Sequence, residues 1–143
     1  MNTSVVDASV AAKWFLPESG EAFVHQALAL LDEYDRRKTQ FVVPDFFYVE
    51  VANAIWKAVR IGRVPREFGD RALVLLTQRE FPTVPSLKLV DKAFQIAADH
   101  RRNVYDSLYV ALAVQAKTHL ITADERLANA LAAYFPVKWL GSE

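Results

Sequence analysis

The sequence predicts an α/β protein in which a mostly parallel β-sheet carries helices on both faces. Two observations predict it: short apolar runs alternate with longer amphipathic stretches, and only 4 Gly and 6 Pro are available for loops. Strands that alternate with helices form βαβ units, whose strands run parallel. A chain of 143 residues is long enough for one domain with a complete core, so we expect residues 1–143 to form a single domain.

The strands are predicted from the short apolar runs. The first covers residues 4–6, and the second covers residues 41–43 and ends at Pro44. Residues 83–84 lie between two prolines and predict a weak edge strand. Further extended segments are predicted at residues 103–105, 120–121 and 137–140.

The stretches between the strands have the apolar spacing of amphipathic helices. The predicted helices cover residues 21–37, 46–60, 66–78, 87–100, 107–117 and 124–133. The helix at 46–60 is apolar on nearly all sides, which predicts burial on more than one side. We therefore expect it to be either a central core helix or a surface for a partner, with a second copy of the chain as the first choice.

The composition excludes several classes of protein. There is no cysteine, so disulfides, thiolate zinc sites and cysteine nucleophiles are excluded. The 17 basic and 17 acidic residues balance, which argues against a protein that coats DNA non-specifically, although a local basic patch could still bind nucleic acid. The apolar run at 108–114 is too short to span a bilayer, and no signal peptide is visible, so we expect a cytoplasmic protein without a membrane partner.

Four acidic residues occupy positions that suggest a site. Asp7 and Asp124 each follow a predicted strand, so both should lie at the edge of the sheet where ligands bind, beyond the carboxyl ends of the strands. Asp106 opens a predicted helix. Glu50 lies one turn into the long helix, among apolar residues, where a carboxylate is costly unless it is paired or bound to a metal.

Glu50 also shares one narrow stripe of its helix with Asn53, Lys57 and Arg60, at spacings of three and four residues. Crowded carboxylates repel one another, so either some of them stay protonated or a divalent cation neutralises them. Ligands that are all oxygen favour Mg²⁺ or Mn²⁺ over Zn²⁺. Such a site suits phosphodiester hydrolysis, in which the cation activates water and stabilises charge on the phosphate.

Each of the four acids has a purely structural alternative. Asp7, Asp106 and Asp124 each precede a helix and could serve as its N-cap. Glu50 could pair with one of the basic residues on its own stripe. Taken singly, these alternatives compete with a site, but one fold must place all four residues.

Four segments in this order and spacing resemble a known family, the PIN-domain nucleases, and most closely the VapC-type toxins of toxin–antitoxin pairs. Together the segments span nearly the whole chain. They are V-V-D-A-S at 5–9, V-P-D-F-F-Y-V-E-V-A-N-A at 43–54, Y-D-S-L-Y-V-A-L-A at 105–113 and L-I-T-A-D-E-R-L at 120–127.

The resemblance implies a three-layer α/β/α fold and an endoribonuclease that depends on Mg²⁺ or Mn²⁺. It implies a VapB-type antitoxin that blocks the site, and it favours a homodimer. The implied metal-binding and catalytic residues are Asp7, Glu50, Asp106 and Asp124, supported by the polar residues Ser9, Asn53 and Thr122.

Basic residues could guide the phosphates of an RNA. The candidates are Lys13, Lys57, Arg60, Arg101 and Arg102. Two other functions stay open. One is a Mg²⁺-dependent phosphohydrolase with an aspartyl nucleophile, although Ser9 stands where its D-x-D motif needs a second acid. The other is a catalytically inert PIN-like domain that binds RNA or protein.

Overall fold

The computed structural model describes residues 2–142, in which strands and helices alternate along the chain. The strands of this range are β1 (Asn2–Val6), β2 (Thr39–Pro44), β3 (Thr83–Val84), β4 (Leu120–Thr122) and β5 (Val137–Trp139). They all run parallel and form one sheet in the order β3-β2-β1-β4-β5. The register places Val5 of β1 beside Val42 of β2 and Leu120 of β4.

Helices connect the strands and cover both faces of the sheet. They are α1 (Ala8–Phe15), α2 (Val24–Asp35), α3 (Phe47–Arg60), α4 (Arg66–Thr77), α5 (Val90–His100), α6 (Val104–Gln115) and α7 (Glu125–Leu131). Crossover connections between parallel strands are right-handed. The connections from β1 to β2 and from β2 to β3 therefore place their helices on one face of the sheet. The connections from β3 to β4 and from β4 to β5 run in the opposite direction and place their helices on the other face. The predicted α/β class and the three-layer arrangement are confirmed.

The strand order defines where this sheet can bind a ligand. From β1 the chain moves first to β2 on one side and later to β4 on the other, so the topology switches beside β1. The carboxyl ends of β1 and β4 flank this switch point, where open parallel sheets form a crevice. Val5 and Val6 at the end of β1 are fully buried, as expected for a central strand covered on both faces.

Three predicted helices begin elsewhere than the sequence indicated. The helix predicted from residue 87 begins at Val90, after a short 3-10 turn at Ser86–Lys88. The helix predicted from residue 21 begins at Val24, because Phe23 has a left-handed conformation with φ 59°. The helix predicted from residue 107 begins at Val104, because the side chain of Asn103 caps it and accepts a hydrogen bond from the backbone N–H of Asp106 at 2.7 Å. The prediction of extended chain at 103–105 is therefore wrong beyond Asn103.

The long helix α3 is buried on two sides within the chain itself, since it packs against both α1 and α4. Phe47, Val51 and Ile55 of α3 belong to the hydrophobic core. Val49 and Trp56 remain 72% and 54% exposed. Its apolar composition is therefore explained largely by its own neighbours, and only part of its surface is left for a partner.

No helix within residues 2–142 is long and apolar enough to cross a membrane.

Candidate active site

The four acidic residues predicted from the sequence line one pocket at the carboxyl edge of the sheet. Its volume is about 300 Å³. Asp7 lies between β1 and α1, Glu50 in the first turn of α3, Asp106 in the first turn of α6, and Asp124 between β4 and α7. The remaining polar or charged residues that line this acidic pocket are Ser9, Asn53 and Lys57.

Asp7 is both a helix cap and a wall of the acidic pocket. Its Oδ1 accepts hydrogen bonds from the backbone N–H groups of Ser9 at 3.1 Å and Val10 at 3.4 Å, and the Ser9 hydroxyl also donates to it. The side chain is nevertheless buried, since Asp7 is 5% exposed. Burial raises the pKa of Asp7 to about 6, with smaller contributions from the charges of Asp106 and Glu50.

Asp124 is likewise both the N-cap of α7 and a residue that lines the acidic pocket. Its Oδ1 accepts hydrogen bonds from the backbone N–H groups of Arg126 at 3.0 Å and Leu127 at 3.3 Å. The Thr122 hydroxyl accepts a hydrogen bond from the N–H of Asp124 at 3.1 Å, and Thr122 is fully buried. Asp124 is therefore held by the end of β4 as well as by α7.

Ser9 joins the two strand ends that carry Asp7 and Asp124. Its hydroxyl donates to Asp7 and accepts a hydrogen bond from the backbone N–H of Ala123 at 3.0 Å. The Ser9 and Thr122 hydroxyl oxygens are 3.5 Å apart. Both residues thus lie beside the acids that the resemblance places them with, and they set the distance between the loops after β1 and β4.

Glu50 has a partner that the sequence did not indicate. The buried hydroxyl of Tyr109 on α6 donates a hydrogen bond to Oε1 of Glu50 at 2.6 Å. Burial raises the pKa of Glu50, and the hydrogen bond from Tyr109 opposes that rise. The alternative in which Glu50 pairs with a basic residue of its own helix is wrong, because none of the ion pairs among residues 2–142 includes Glu50. Tyr109 could have been found from its place one turn after Asp106 on the same helix face.

Asp106 is not the cap of α6, because Asn103 fills that position. Burial raises the pKa of Asp106, and the charge of Asp124 raises it further, whereas the charge of Arg102 lowers it. Arg102 was a candidate for RNA binding, and the structure places it close enough to Asp106 to act on its ionisation. The charge of Asp106 in turn contributes to the raised pKa of Asp7, so these acids of the pocket interact electrostatically.

The other basic candidates differ in whether they line the acidic pocket. Lys57 lines it, whereas Arg60 at the end of α3 and the exposed Arg101 after α5 do not. Lys13 is buried and forms an ion pair with Glu21 at 3.4 Å. It lines a neighbouring groove of about 400 Å³, which also contains Lys57.

Arg63 lines the same groove and was missed from the sequence. Its guanidinium contacts Glu21 at 3.3 Å and donates to the carbonyl groups of Pro17 at 2.8 Å and Ser19 at 3.0 Å. These bonds tie the loop after α1 to the end of α3. The sequence carried no signal for them, since residues distant along the chain meet here only through the fold.

The acids fit a hydrated divalent cation better than a closely enclosed one. Within residues 2–142, no three acidic or histidine side chains converge tightly enough to form a ready metal cluster. The four carboxylates do face one pocket, and as ligands they offer oxygen atoms alone. Mg²⁺ prefers oxygen ligands and retains several waters, which suits carboxylates that are separated across a pocket.

Comparisons with known proteins identify the family of this chain. A family model described as PIN domain matches residues 4–131. The chain is 30% identical over 127 residues to Ribonuclease VapC3 of Pyrobaculum aerophilum. This alignment covers 87% of this chain and 92% of that protein. The chain is also 29% identical over 133 residues to Ribonuclease VapC1 of Mycobacterium tuberculosis, in an alignment that covers 91% of this chain and 92% of that protein.

Two solved structures share the fold at low sequence identity. The crystal structure of PAE2754 from Pyrobaculum aerophilum superposes with a TM-score of 0.69 at 20% identity, covering 99% of this chain and 85% of that chain. A toxin–antitoxin complex from Klebsiella pneumoniae superposes with a TM-score of 0.58 at 14% identity, covering 94% of this chain and 95% of that chain.

The chain belongs to the PIN-domain family. Within that family its similarity is to the VapC-type members, as the sequence motifs indicated.

Proposed function

We propose that this protein is a divalent-metal-dependent endoribonuclease and the toxin of a type II toxin–antitoxin pair. The observation that carries the proposal is the acidic pocket, in which Asp7, Glu50, Asp106 and Asp124 face one another with Lys57 as the basic residue at their side. Four carboxylates would repel the phosphate of an RNA, so a cation is needed before such a substrate can enter. The relatives named as ribonucleases support RNA as the substrate.

Asp7, Glu50, Asp106 and Asp124 would hold the ion directly or through its waters. When bound, the ion supplies Lewis-acid activation of water and neutralises charge on the scissile phosphate. The protein contributes position: helix N–H groups hold Oδ1 of Asp7 and of Asp124, and Tyr109 holds Oε1 of Glu50. No side-chain nucleophile is required for this hydrolysis.

The groove beside the acidic pocket offers a path for the RNA backbone. Lys57 belongs to the walls of both, and Lys13 and Arg63 extend the basic side of the groove away from the acids. We assign Lys57 to the phosphate next to the scissile bond, because it is the basic residue that lines the acidic pocket itself. Lys13 and Arg63 are engaged by Glu21, so they act chiefly on the shape of the groove.

A cognate VapB-type antitoxin and a second copy of the chain are the proposed protein partners. The relation to VapC proteins supports the antitoxin, and exposed apolar side chains support self-association. These side chains include Val49 on α3 and Phe94 on α5, which are 72% and 64% exposed. An RNA substrate and these partners are consistent with the cytoplasm as the place of action.

The test is cleavage of a labelled, structured RNA of mixed sequence by the purified protein free of any partner. Cleavage is expected with Mn²⁺ or Mg²⁺ and should disappear with EDTA. It should also disappear in Asp7→Asn and Asp106→Asn, which remove a charge from the acidic pocket while the side chain keeps its shape. The matched control is Asp99→Asn, which removes an exposed acid near the end of α5 and should cleave like the wild type.

Thermal melting separates the possible failures. An ion that binds only the folded protein stabilises it by about 2.7 kcal/mol at 100 times its dissociation constant. A wild type that does not cleave but melts higher with Mn²⁺ would have a metal site and a narrow RNA target. A wild type that neither cleaves nor responds to Mn²⁺ would contradict the proposed metal site and favour an inert binding domain.

A further inference from the structure

The hydroxyl of Tyr109 is a buried polar group beside Glu50, one of the residues that line the acidic pocket. Tyr109 is 1% exposed, and its ring packs against Phe46 with ring centroids 5.2 Å apart. A buried hydroxyl is costly unless it is hydrogen-bonded, and that of Tyr109 donates to Oε1 of Glu50 at 2.6 Å. The contact joins α6 to α3, so it depends on the tertiary fold.

Glu50 differs from the acids at the strand ends in how it is held. Helix N–H groups fix Oδ1 of Asp7 and Oδ1 of Asp124 from the backbone. Glu50 lies in the first turn of α3, its own N–H donates to the carbonyl of Phe46, and its side chain accepts no backbone hydrogen bond from residues 2–142. Its longer side chain also has more rotatable bonds than that of an aspartate. Tyr109 supplies from another helix the hydrogen bond that the backbone does not supply, and this bond engages Oε1 and not Oε2 of Glu50.

We propose that Tyr109 is a positioning residue, whose hydroxyl fixes the carboxylate of Glu50 so that a single oxygen, Oε2, faces the divalent cation. This inference rests on the proposed function, since it assigns a role towards the same ion. Groups that orient metal ligands typically contribute about 10-fold to 100-fold to metal affinity. Tyr109 touches neither the ion nor the RNA, and it acts through Glu50.

The direct test is the affinity for Mn²⁺, measured from the paramagnetic resonance signal of the free ion, with RNA cleavage as a second readout. Tyr109→Phe keeps the ring in the core and removes the donor. We expect its Mn²⁺ affinity to fall by about 10-fold to 100-fold. We also expect kcat to fall at a fixed Mn²⁺ concentration while KM for the RNA stays near that of the wild type, because no RNA contact is removed.

The matched control is Tyr105→Phe. Tyr105 lies on the same helix and its ring contacts the same Phe46, with centroids 5.9 Å apart, but it is 64% exposed. The same chemical change there should leave Mn²⁺ affinity and kcat unchanged. Circular dichroism and the melting temperature in EDTA show whether each variant is folded.

A double-mutant cycle with Glu50→Gln tests whether Tyr109 acts through Glu50. The glutamine keeps a carbonyl oxygen that can accept the hydrogen bond of the Tyr109 hydroxyl, so the Glu50→Gln protein should fold. The substitution removes the negative charge that binds the ion. If Tyr109 acts through Glu50, adding Tyr109→Phe to Glu50→Gln will not weaken Mn²⁺ binding further. A further loss equal to that of Tyr109→Phe alone would mean a general structural effect and would overturn the proposal.

The remaining outcomes separate this inference from the proposed function. If the wild type binds Mn²⁺ and cleaves RNA, and folded Tyr109→Phe does both equally well, the role of Tyr109 is refuted and the nuclease stands. If the wild type binds Mn²⁺, does not cleave, and Tyr109→Phe binds more weakly, the positioning role stands and the nuclease proposal fails. If the wild type binds no Mn²⁺, both fall together.

Discussion

Replacing Asp7 by asparagine should make the metal-free protein more stable at neutral pH, although Asp7 caps a helix. Asparagine keeps an oxygen that can accept the N–H groups of Ser9 and Val10. What it removes is a negative charge in a side chain that is 5% exposed. The change therefore isolates the cost of holding a charge at the centre of the acidic pocket.

The size of this cost follows from the pKa of Asp7. Burial raises that pKa from 3.8 to about 6. Since a difference of one pH unit corresponds to about 1.4 kcal/mol, ionised Asp7 lowers the free energy of unfolding by about 3 kcal/mol relative to the protonated form. Because the folded value lies above the unfolded one, the stability is fully present below about pH 4 and is lost as the pH rises through about 6.

Urea denaturation in EDTA, followed by circular dichroism between about pH 4 and about pH 8, measures the effect. The difference in free energy of unfolding between Asp7→Asn and the wild type should be near zero at the acidic end and should grow to about 3 kcal/mol above pH 7. The exposed-acid control Asp99→Asn should run parallel to the wild type. A difference for Asp7→Asn that does not change with pH would refute the reasoning, because it would mean that the ionisation of Asp7 is not coupled to folding.

Two further predictions concern the frame around the acidic pocket. Ser9→Ala removes the donor to Asp7 and the acceptor for the N–H of Ala123, so it should destabilise the protein by about 1–3 kcal/mol in urea denaturation and raise the pKa of Asp7; an unchanged midpoint would contradict the bridging role. Gly69→Ala places a Cβ 2.6 Å from Cγ2 of Val59 where α4 packs on α3, so we expect a loss of about 1–3 kcal/mol. Adding Val59→Ala should recover part of that loss, and additive destabilisation would argue against a clash.

The acids at the strand ends were predictable because their placement depends on a rule of topology. Any acid that directly follows a strand of a parallel sheet reaches the carboxyl edge, and Asp7 and Asp124 both do. The sequence could not say whether they were caps or site residues, and the structure shows that each caps a helix and also lines the acidic pocket. The two interpretations were never exclusive.

The partners of the helical acids could not be predicted in the same way. Glu50 on α3 accepts a hydrogen bond from Tyr109 on α6, and the position of Tyr109 one turn after Asp106 indicates only that it lies on the same helix face, not that it meets Glu50. The start of α6 also differs from the predicted one. The side chain of Asn103 caps the helix, and such a hydrogen bond between a side chain and the backbone is not visible in the apolar spacing. The role of Arg63 could not be predicted either, because its partner Glu21 is distant along the chain and meets it only in the folded structure.

The capping role of Asp7 and Asp124 limits which residues evolution can place there. A glutamate would keep the negative charge, but its longer side chain cannot cap a helix in the same way. An alanine would lose both the charge and the cap. A loss of activity in such a variant could then come from weaker metal binding or from a destabilised helix, and the two causes would not be separated. Aspartate is the side chain that meets both demands, whereas Glu50, which caps nothing, is free to be the longer acid that reaches the pocket from within a helix.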